Sequence, residues 1–145
     1  MSLVEILVRL CAAMLAGVAL GLNRDLHGKP TGVRTLGIVG VGSALAVMAV
    51  ADSHDVTAVS RIIQGILTGI GFLGAGVIIR NSGDLQIHGL TTAACTWLTA
   101  CIGVTCGAGE WRMVLLGLVL AFLVLILGGP LERALHARLR RPDDD

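Results

Sequence analysis

Five long apolar runs, separated by short segments that hold most of the charged residues, dominate this sequence. They occupy residues 3–22, 35–51, 61–79, 89–106 and 112–127. Each is close to the length of about 17–25 residues that a helix needs to cross a bilayer. Only 14% of the residues are charged, against roughly 25% in soluble domains, so the helices lack the polar faces that a water-soluble bundle requires. The sequence therefore predicts an all-α, polytopic membrane protein with about five transmembrane helices.

The end of the fifth run divides the chain into two parts. Gly128, Gly129 and Pro130 are typical of a helix end, so residues 1–130 are predicted to form the transmembrane helical domain. After it, leucines recur at every fourth position among arginines, which indicates a helix lying on anionic headgroups. Residues 131–145 are therefore predicted to form a short cytoplasmic juxtamembrane helix and tail.

The distribution of lysine and arginine predicts the orientation. Alternate loops place eight basic residues on one side of the membrane and three on the other. Because cytoplasmic loops carry the excess of positive charge, the N-terminus is expected outside and the C-terminus in the cytoplasm. The eight are Arg24, Lys29, Arg34, Arg80, Arg133, Arg138, Arg140 and Arg141, and the three are Arg9, Arg61 and Arg112.

Several functional classes are disfavoured. The net charge is only +1, and the chain has four aromatic residues, none of them tyrosine. Such a composition offers neither the basic surface nor the aromatic stacking platform typical of nucleic-acid binding. The four histidines are scattered, and no carboxylate lies in the middle of a span, so neither an enzyme nor a proton-relay site is predicted. No cofactor is predicted. A metal site is not predicted either, although Asp52 and Asp55 in the second loop are weak candidates for contact with a divalent cation.

Glycine is concentrated in the third run, where Gly69, Gly71, Gly74 and Gly76 follow one another closely. The pattern formally matches a dinucleotide-binding motif, but no strand precedes it. Two hypotheses stay open: tight helix packing inside the bundle, or a break in the helix that exposes its backbone to a solute. Spacings typical of close helix contact occur twice, at Gly17-x-x-x-Gly21 and Gly65-x-x-x-Gly69.

The fourth run carries a polar stripe in which Thr91, Cys95 and Thr99 share one face and Thr92 and Thr96 lie beside it. Lipid would not solvate such a face, so it is predicted to face protein or a narrow polar cavity. Hydrogen bonding between helices, or back to the carbonyl four residues earlier, is the simpler interpretation.

Basic residues gather at the predicted cytoplasmic end. Arg24 and Arg34 each lie at a helix end, and Arg80 follows the third run, with Asp25 and Asp84 as candidate counter-ions. Two interpretations stay open. The cluster anchors the helices to headgroups, or it binds an anion or a partner protein.

Together these motifs resemble the membrane domain of the MgtC/SapB family from about residue 15 to residue 109. The resemblance rests on the GIGFLGAG and GLTTAA blocks in this order. With them come Gly21-Leu-Asn-Arg24, Gly32-Val-Arg-Thr35, Arg61, Gly69–Gly76, Gly89–Ala94, Trp97, Gly103 and Gly107-Ala-Gly109.

The resemblance implies a bacterial inner-membrane protein with about five spans, linked to growth under magnesium limitation, acid stress and intracellular survival. Members are often labelled magnesium-transport proteins, and regulation of membrane complexes such as the F-type ATP synthase is also implied. Two departures stand out. Asn23 occupies the position where the family has glutamate. Many members also carry an ACT-like domain after the last helix, and we expect the membrane domain alone here.

Three functional hypotheses follow. The first is a non-enzymatic regulator that contacts itself, as a homodimer, and other membrane proteins. The second is a transporter or channel for a small ion or solute such as magnesium, with a path along the third and fourth helices. The third is an anion-binding or anionic-lipid-binding protein that uses Arg24, Arg34 and Arg80.

Overall fold

Five helices and one pair of short strands make up the described part of the chain. The computed structural model describes residues 1–51, 55–80 and 87–139. The elements are α1 (Leu3–Leu26), α2 (Val33–Met48), α3 (Val56–Val77), β1 (Ile79–Arg80), β2 (Ile87–His88), α4 (Leu90–Ala108) and α5 (Trp111–Leu139). The two strands pair antiparallel, with Ile79 opposite His88, and join α3 to α4. The prediction of an all-α, polytopic membrane fold is confirmed.

Local capping sets where the helices begin. The Ser2 side chain accepts a hydrogen bond from the Glu5 amide at the start of α1, and Asp55 accepts one from the Thr57 amide at the start of α3. Each satisfies an amide that has no partner within its own helix. At α4, glycines with positive φ occupy both caps, Gly89 at +95° and Gly109 at +79°.

Four of the helices are long and apolar enough to cross a membrane, and α2, with 16 residues, is shorter. At 1.5 Å per residue α2 is about 24 Å long, less than the roughly 30 Å of a bilayer core. Eight of its residues are buried, because it lies between α1 and α4. Its contact with lipid is correspondingly small, which makes the short length tolerable.

Helices α1, α2 and α4 form the core through contacts between backbones. A β-carbon added at Gly21 would lie 2.6 Å from Val33 Cα, and one added at Gly40 would lie 2.6 Å from the Ala13 oxygen. These pairs show that α1 and α2 run antiparallel. A β-carbon at Gly107 would lie 2.7 Å from the oxygen of Ala44, so α4 meets α2 equally closely. A β-carbon added at Gly17 would likewise meet the Leu36 backbone, so the close helix contact predicted for Gly17 and Gly21 is confirmed.

Helices α3 and α5 flank this core. In α3 only Ile70 and Gly74 are buried, and both face the central helices. The outward side of α5 is formed by exposed leucine, isoleucine and valine side chains. Both helices therefore offer broad apolar surfaces to lipid.

The predicted end of the fifth helix at Gly128–Pro130 is wrong, because α5 continues through Pro130 to Leu139. Proline removes one backbone N–H and disturbs the turn before it, but membrane helices tolerate such an interruption. The predicted juxtamembrane helix is therefore the end of α5 as far as Leu139. Residues 140–145 of the predicted tail lie outside the described part of the chain. Attachment of this segment to headgroups stays a prediction.

Candidate functional site

The side chain of Arg24 is buried where α1 ends and α4 begins. Only 5% of the residue is exposed, and its Nη2 donates a hydrogen bond of 2.5 Å to the hydroxyl of Thr92. Its Nε has no acceptor among the described residues. Among those residues no carboxylate forms an ion pair with Arg24 either. Within the described part of the chain, the Thr92 hydroxyl is thus the one hydrogen-bond acceptor that the buried guanidinium has.

The polar stripe of α4 faces protein, as predicted. Thr92, Cys95, Thr96 and Thr99 are all buried. The Thr96 hydroxyl donates to the Thr92 carbonyl at 2.9 Å, and the Thr99 hydroxyl donates to the Cys95 carbonyl at 2.8 Å. The predicted bonding to the preceding turn is thereby confirmed for these two threonines. Thr91 differs from the others because it is exposed.

A second arginine, Arg9, ties α1 to the other end of α4. Its Nη1 donates to the Gly107 carbonyl at 2.6 Å, and its Nη2 bonds a Glu5 carboxylate oxygen at 2.5 Å. A cation at the carbonyl end of a helix is stabilised by the helix dipole, and Glu5 balances its charge. Arg9 and Arg24 thus hold opposite ends of α4, but only Arg9 has a carboxylate partner among the described residues.

The glycine block of α3 departs from both sequence hypotheses. The helix is continuous from Val56 to Val77, so a break within the block is wrong. A β-carbon added at Gly74 would make an ordinary contact with the Ala93 β-carbon at 3.5 Å, so Gly74 faces α4 but leaves room for a methyl group. Packing inside the bundle is wrong for the others, because a β-carbon there meets no atom within 4 Å in the described part of the chain. These are Gly65, Gly69, Gly71 and Gly76. The reason is that α3 packs mainly on α4, through one side.

The remaining candidates do not converge on one place. Gly89 lies against the end of α3, where an added β-carbon would meet the Val77 backbone. Arg34, in the first turn of α2, and Arg61, in α3, are exposed, and Trp97 is half exposed on α4. The structure therefore brings together Arg24, Thr92, Cys95 and Thr96, and it leaves Arg34, Arg61 and Trp97 on the surface.

The acidic candidates have local roles or lie outside the described residues. Asp55 caps α3, and Asp25 accepts a hydrogen bond of 3.0 Å from the Val33 amide at the start of α2. Asp25 therefore caps α2, and it forms no ion pair with Arg24. Asp52 and Asp84 lie outside the described residues, as does the side chain of Arg80.

Sequence reasoning missed Arg9, which entered only the count of basic residues, and Glu5, which was assigned no role. The available signal was an arginine well inside the first apolar run with a glutamate four residues before it, the spacing of a helical ion pair. It also missed Gly40 and Gly107 as contact points, because glycine spacing alone does not name the facing helix.

Comparison with known proteins gives a consistent result. A family model described as the MgtC family matches residues 10–134. Protein SrpB of Synechococcus elongatus is 44% identical over 81% of this chain and 71% of its own length. The putative magnesium transporter YhiD of Escherichia coli K12 is 40% identical over 83% of the chain and 59% of its length. Protein MgtC of Salmonella typhimurium LT2 is 38% identical over 83% and 51%. No solved structure is a significant match.

Proposed function

The chain belongs to the MgtC family, and from this premise we propose that it is a non-enzymatic regulator in the bacterial inner membrane. It acts by contact with other membrane proteins, during adaptation to magnesium limitation, acid stress or intracellular survival. The chain spans 51–71% of the length of the three relatives named above, and the proposal concerns the part that they share. One observation carries it: the outward side of α3 is lined with glycine.

This outer glycine face consists of Gly65, Gly69, Phe72 and Gly76. At 100° per residue, these positions lie within about 40° of Gly65 around the helix. Phe72 is 82% exposed, and none of the three glycines has a neighbour within 4 Å of an added β-carbon among the described residues. Gly74, which contacts α4, lies on the opposite side of the helix. The face is therefore open to a partner.

Glycine on a lipid-facing surface forgoes the dispersion contacts that a larger side chain makes with acyl chains. The same glycines let a second helix approach until the two backbones touch, and close packing is a main force that joins helices in membranes. The spacing of Gly65 and Gly69 is the one that such contacts use. A partner helix that covered this face would bring Phe72 into contact as well. This supports association as the role of the face.

Transport of magnesium is the competing function, and it draws on the printed name of YhiD. It would require a polar path along α3 and α4. Instead, the hydroxyls of Thr96 and Thr99 donate hydrogen bonds to carbonyls of their own helix, and a β-carbon added at Gly74 would already touch Ala93 at 3.5 Å. These contacts support packing in preference to conduction. Magnesium flux into liposomes that Gly74→Leu abolished, with the fold intact, would favour transport.

The proposal also includes an orientation, with the N-terminus outside and the C-terminus in the cytoplasm. Because Arg9 and Arg24 are held by contacts between helices, they are set aside from the count. The remaining basic residues divide seven to two in favour of the same side. A green fluorescent protein fused after Asp145 should fluoresce, and alkaline phosphatase fused there should be inactive. The reverse pair of results would refute the orientation.

Affinity purification from native membranes in mild detergent tests the regulatory proposal. The wild-type chain should co-purify a membrane protein, and Gly69→Leu should remove it because the side chain keeps the helices apart. Gly42→Leu is the matched control, since Gly42 of α2 also has no neighbour within 4 Å among the described residues. Loss of the partner in both variants, or in neither, would contradict a role for the outer glycine face.

Co-expression of two differently tagged copies identifies the partner class. If one tag recovers the other from the wild type but not from Gly69→Leu, a second copy of the chain occupies the face. If the tags do not recover each other while another membrane protein co-purifies, the partner is a different chain. Absence of any membrane partner would remove the main support for the proposal.

A further inference from the structure

Arg24 is placed where its charge is hardest to accommodate. Burial removes most of the water that would solvate a guanidinium, and a buried charge is strongly disfavoured unless it is paired. Here Nη2 reaches the Thr92 hydroxyl, Nε has no acceptor, and no carboxylate pairs with the group among the described residues. The guanidinium therefore still has a buried donor to offer.

The helix end that Arg24 meets adds to the positive potential. Thr92 lies in the first turn of α4, where the amides have no partners within the helix and the dipole is positive. The cap residue, Gly89, has no side chain with which to bond those amides. A cation is normally unfavourable there, and an anion is favourable.

Two other contacts between a charged side chain and a helix end show the difference. The first turn of α2 receives the carboxylate of Asp25, which bonds the Val33 amide. Arg9 meets the opposite, carbonyl end of α4, and Glu5 neutralises it. In both places a helix end is matched by charge of the appropriate sign. At Arg24 a cation and a helix N-terminus meet, and no described residue supplies a negative charge to either.

We propose that the junction of Arg24, Thr92 and the first turn of α4 is a binding site for a phosphate oxyanion. Thr92 accepts its hydrogen bond from Arg24, so its own hydroxyl proton is available to the ligand. With Nε–H and the first-turn amides, the site presents donors of three kinds. An anion bound there would neutralise the guanidinium and would also be stabilised by the dipole of α4.

The depth of the site explains the choice of phosphate. Arg24 lies two residues before the end of α1, a helix of 24 residues. At 1.5 Å per residue such a helix is about 36 Å long, so its last turn reaches the headgroup region of a bilayer. The oxyanion at that depth is phosphate, either in a phospholipid headgroup or free from the adjoining solution. The inference does not depend on the outer glycine face of α3.

Thermal unfolding of the purified chain in a neutral detergent tests the site. Inorganic phosphate is added at constant ionic strength, with chloride as reference, and phosphatidylglycerol is added in parallel, with dioleoylglycerol as the reference that lacks a headgroup. At least one phosphate carrier should raise the Tm of the wild type, since a ligand that binds the folded state stabilises it. A response to inorganic phosphate identifies a free anion, and a response to the lipid alone identifies a headgroup.

The variants assign the response to the site. Arg24→Gln should weaken the apparent affinity by about thirtyfold or more, and Thr92→Val by about tenfold, because each removes a hydrogen bond to a charged group. Arg24→Lys keeps the charge but lacks Nε, so its apparent affinity should lie between those of the wild type and Arg24→Gln. Arg112→Gln removes one exposed charge from the first turn of α5, on the opposite side of the membrane, and should leave the affinity unchanged.

The wild type alone can refute the proposal. If neither phosphate nor phosphatidylglycerol raises its Tm above the matched reference, the site does not exist. Equal weakening in Arg112→Gln and Arg24→Gln would also overturn it, since the response would then follow net charge. Should Arg24→Gln fail to fold, Thr92→Val and Arg24→Lys decide the assignment by the same criteria.

Discussion

Replacing Gly103 with alanine probes the contact on which the core depends. Gly103 of α4 faces α2, where an added β-carbon would lie 2.9 Å from Ser43 Cβ and 3.1 Å from the carbonyl carbon of Gly40. The backbone oxygen of Gly40 is closer still. A side chain cannot rotate away from this clash, because most of the opposing atoms belong to the backbone. The two helices must therefore separate.

The size of the effect follows from these distances. Ordinary contacts between carbon atoms fall at about 3.5–4.0 Å, so α2 and α4 must move apart by roughly 0.5–1 Å. A gap of that size forfeits about a quarter to a half of the dispersion energy of each contact. Insertion of one methyl group into a packed core typically destabilises by about 1–3 kcal/mol. We expect a loss of about 2 kcal/mol, or a Tm lower by about 5 °C.

The chain carries its own probes for the measurement. Cys95 and Cys106 of α4 are buried free thiols, so a dye that fluoresces on reaction with thiols reports unfolding during heating, above a baseline from the exposed Cys11 and the partly exposed Cys101. Gly42→Ala in α2 is the control, because a β-carbon there meets no atom within 4 Å among the described residues. If both variants melt within about 1 °C of each other, the contact at Gly103 does not limit stability and the reasoning is refuted.

Three further outcomes are expected. Arg9→Gln should lower stability by about 1.5–3 kcal/mol in the same assay, because the hydrogen bond to the Gly107 carbonyl is lost, and an unchanged Tm would contradict this. Pro130→Ala should keep α5 helical and add an amide that is protected from hydrogen exchange, since Pro130 lies inside the helix. Rapid exchange at residue 130 would count against a continuous helix. Thr31→Gly should raise stability by about 1 kcal/mol, because Thr31 has a φ of +68°, which a β-branched residue rarely adopts. A lower Tm would refute that strain.

Much of the fold could be predicted from local pattern. Each apolar run became a helix, because in a membrane the backbone must satisfy its own hydrogen bonds and a helix does so within one segment. The threonines of α4 were expected to face protein for a similarly local reason, since lipid offers no partner to a hydroxyl. The helix end predicted at Pro130 was wrong because the rule that proline ends a helix comes largely from proteins in water.

What the sequence alone determined is therefore the set of helices and the fact that they are membrane helices. The tertiary structure decided which faces meet. Gly107 contacts α2 while Gly69 contacts nothing described, although both are glycines in apolar helices. In water, polarity marks the outer face of a helix, but in lipid both faces are apolar and that signal is absent. The surroundings of Arg24 were likewise decided by the tertiary structure. Only the packing of α4 against α1 shows that this arginine is buried and that its Nε has no acceptor among the described residues.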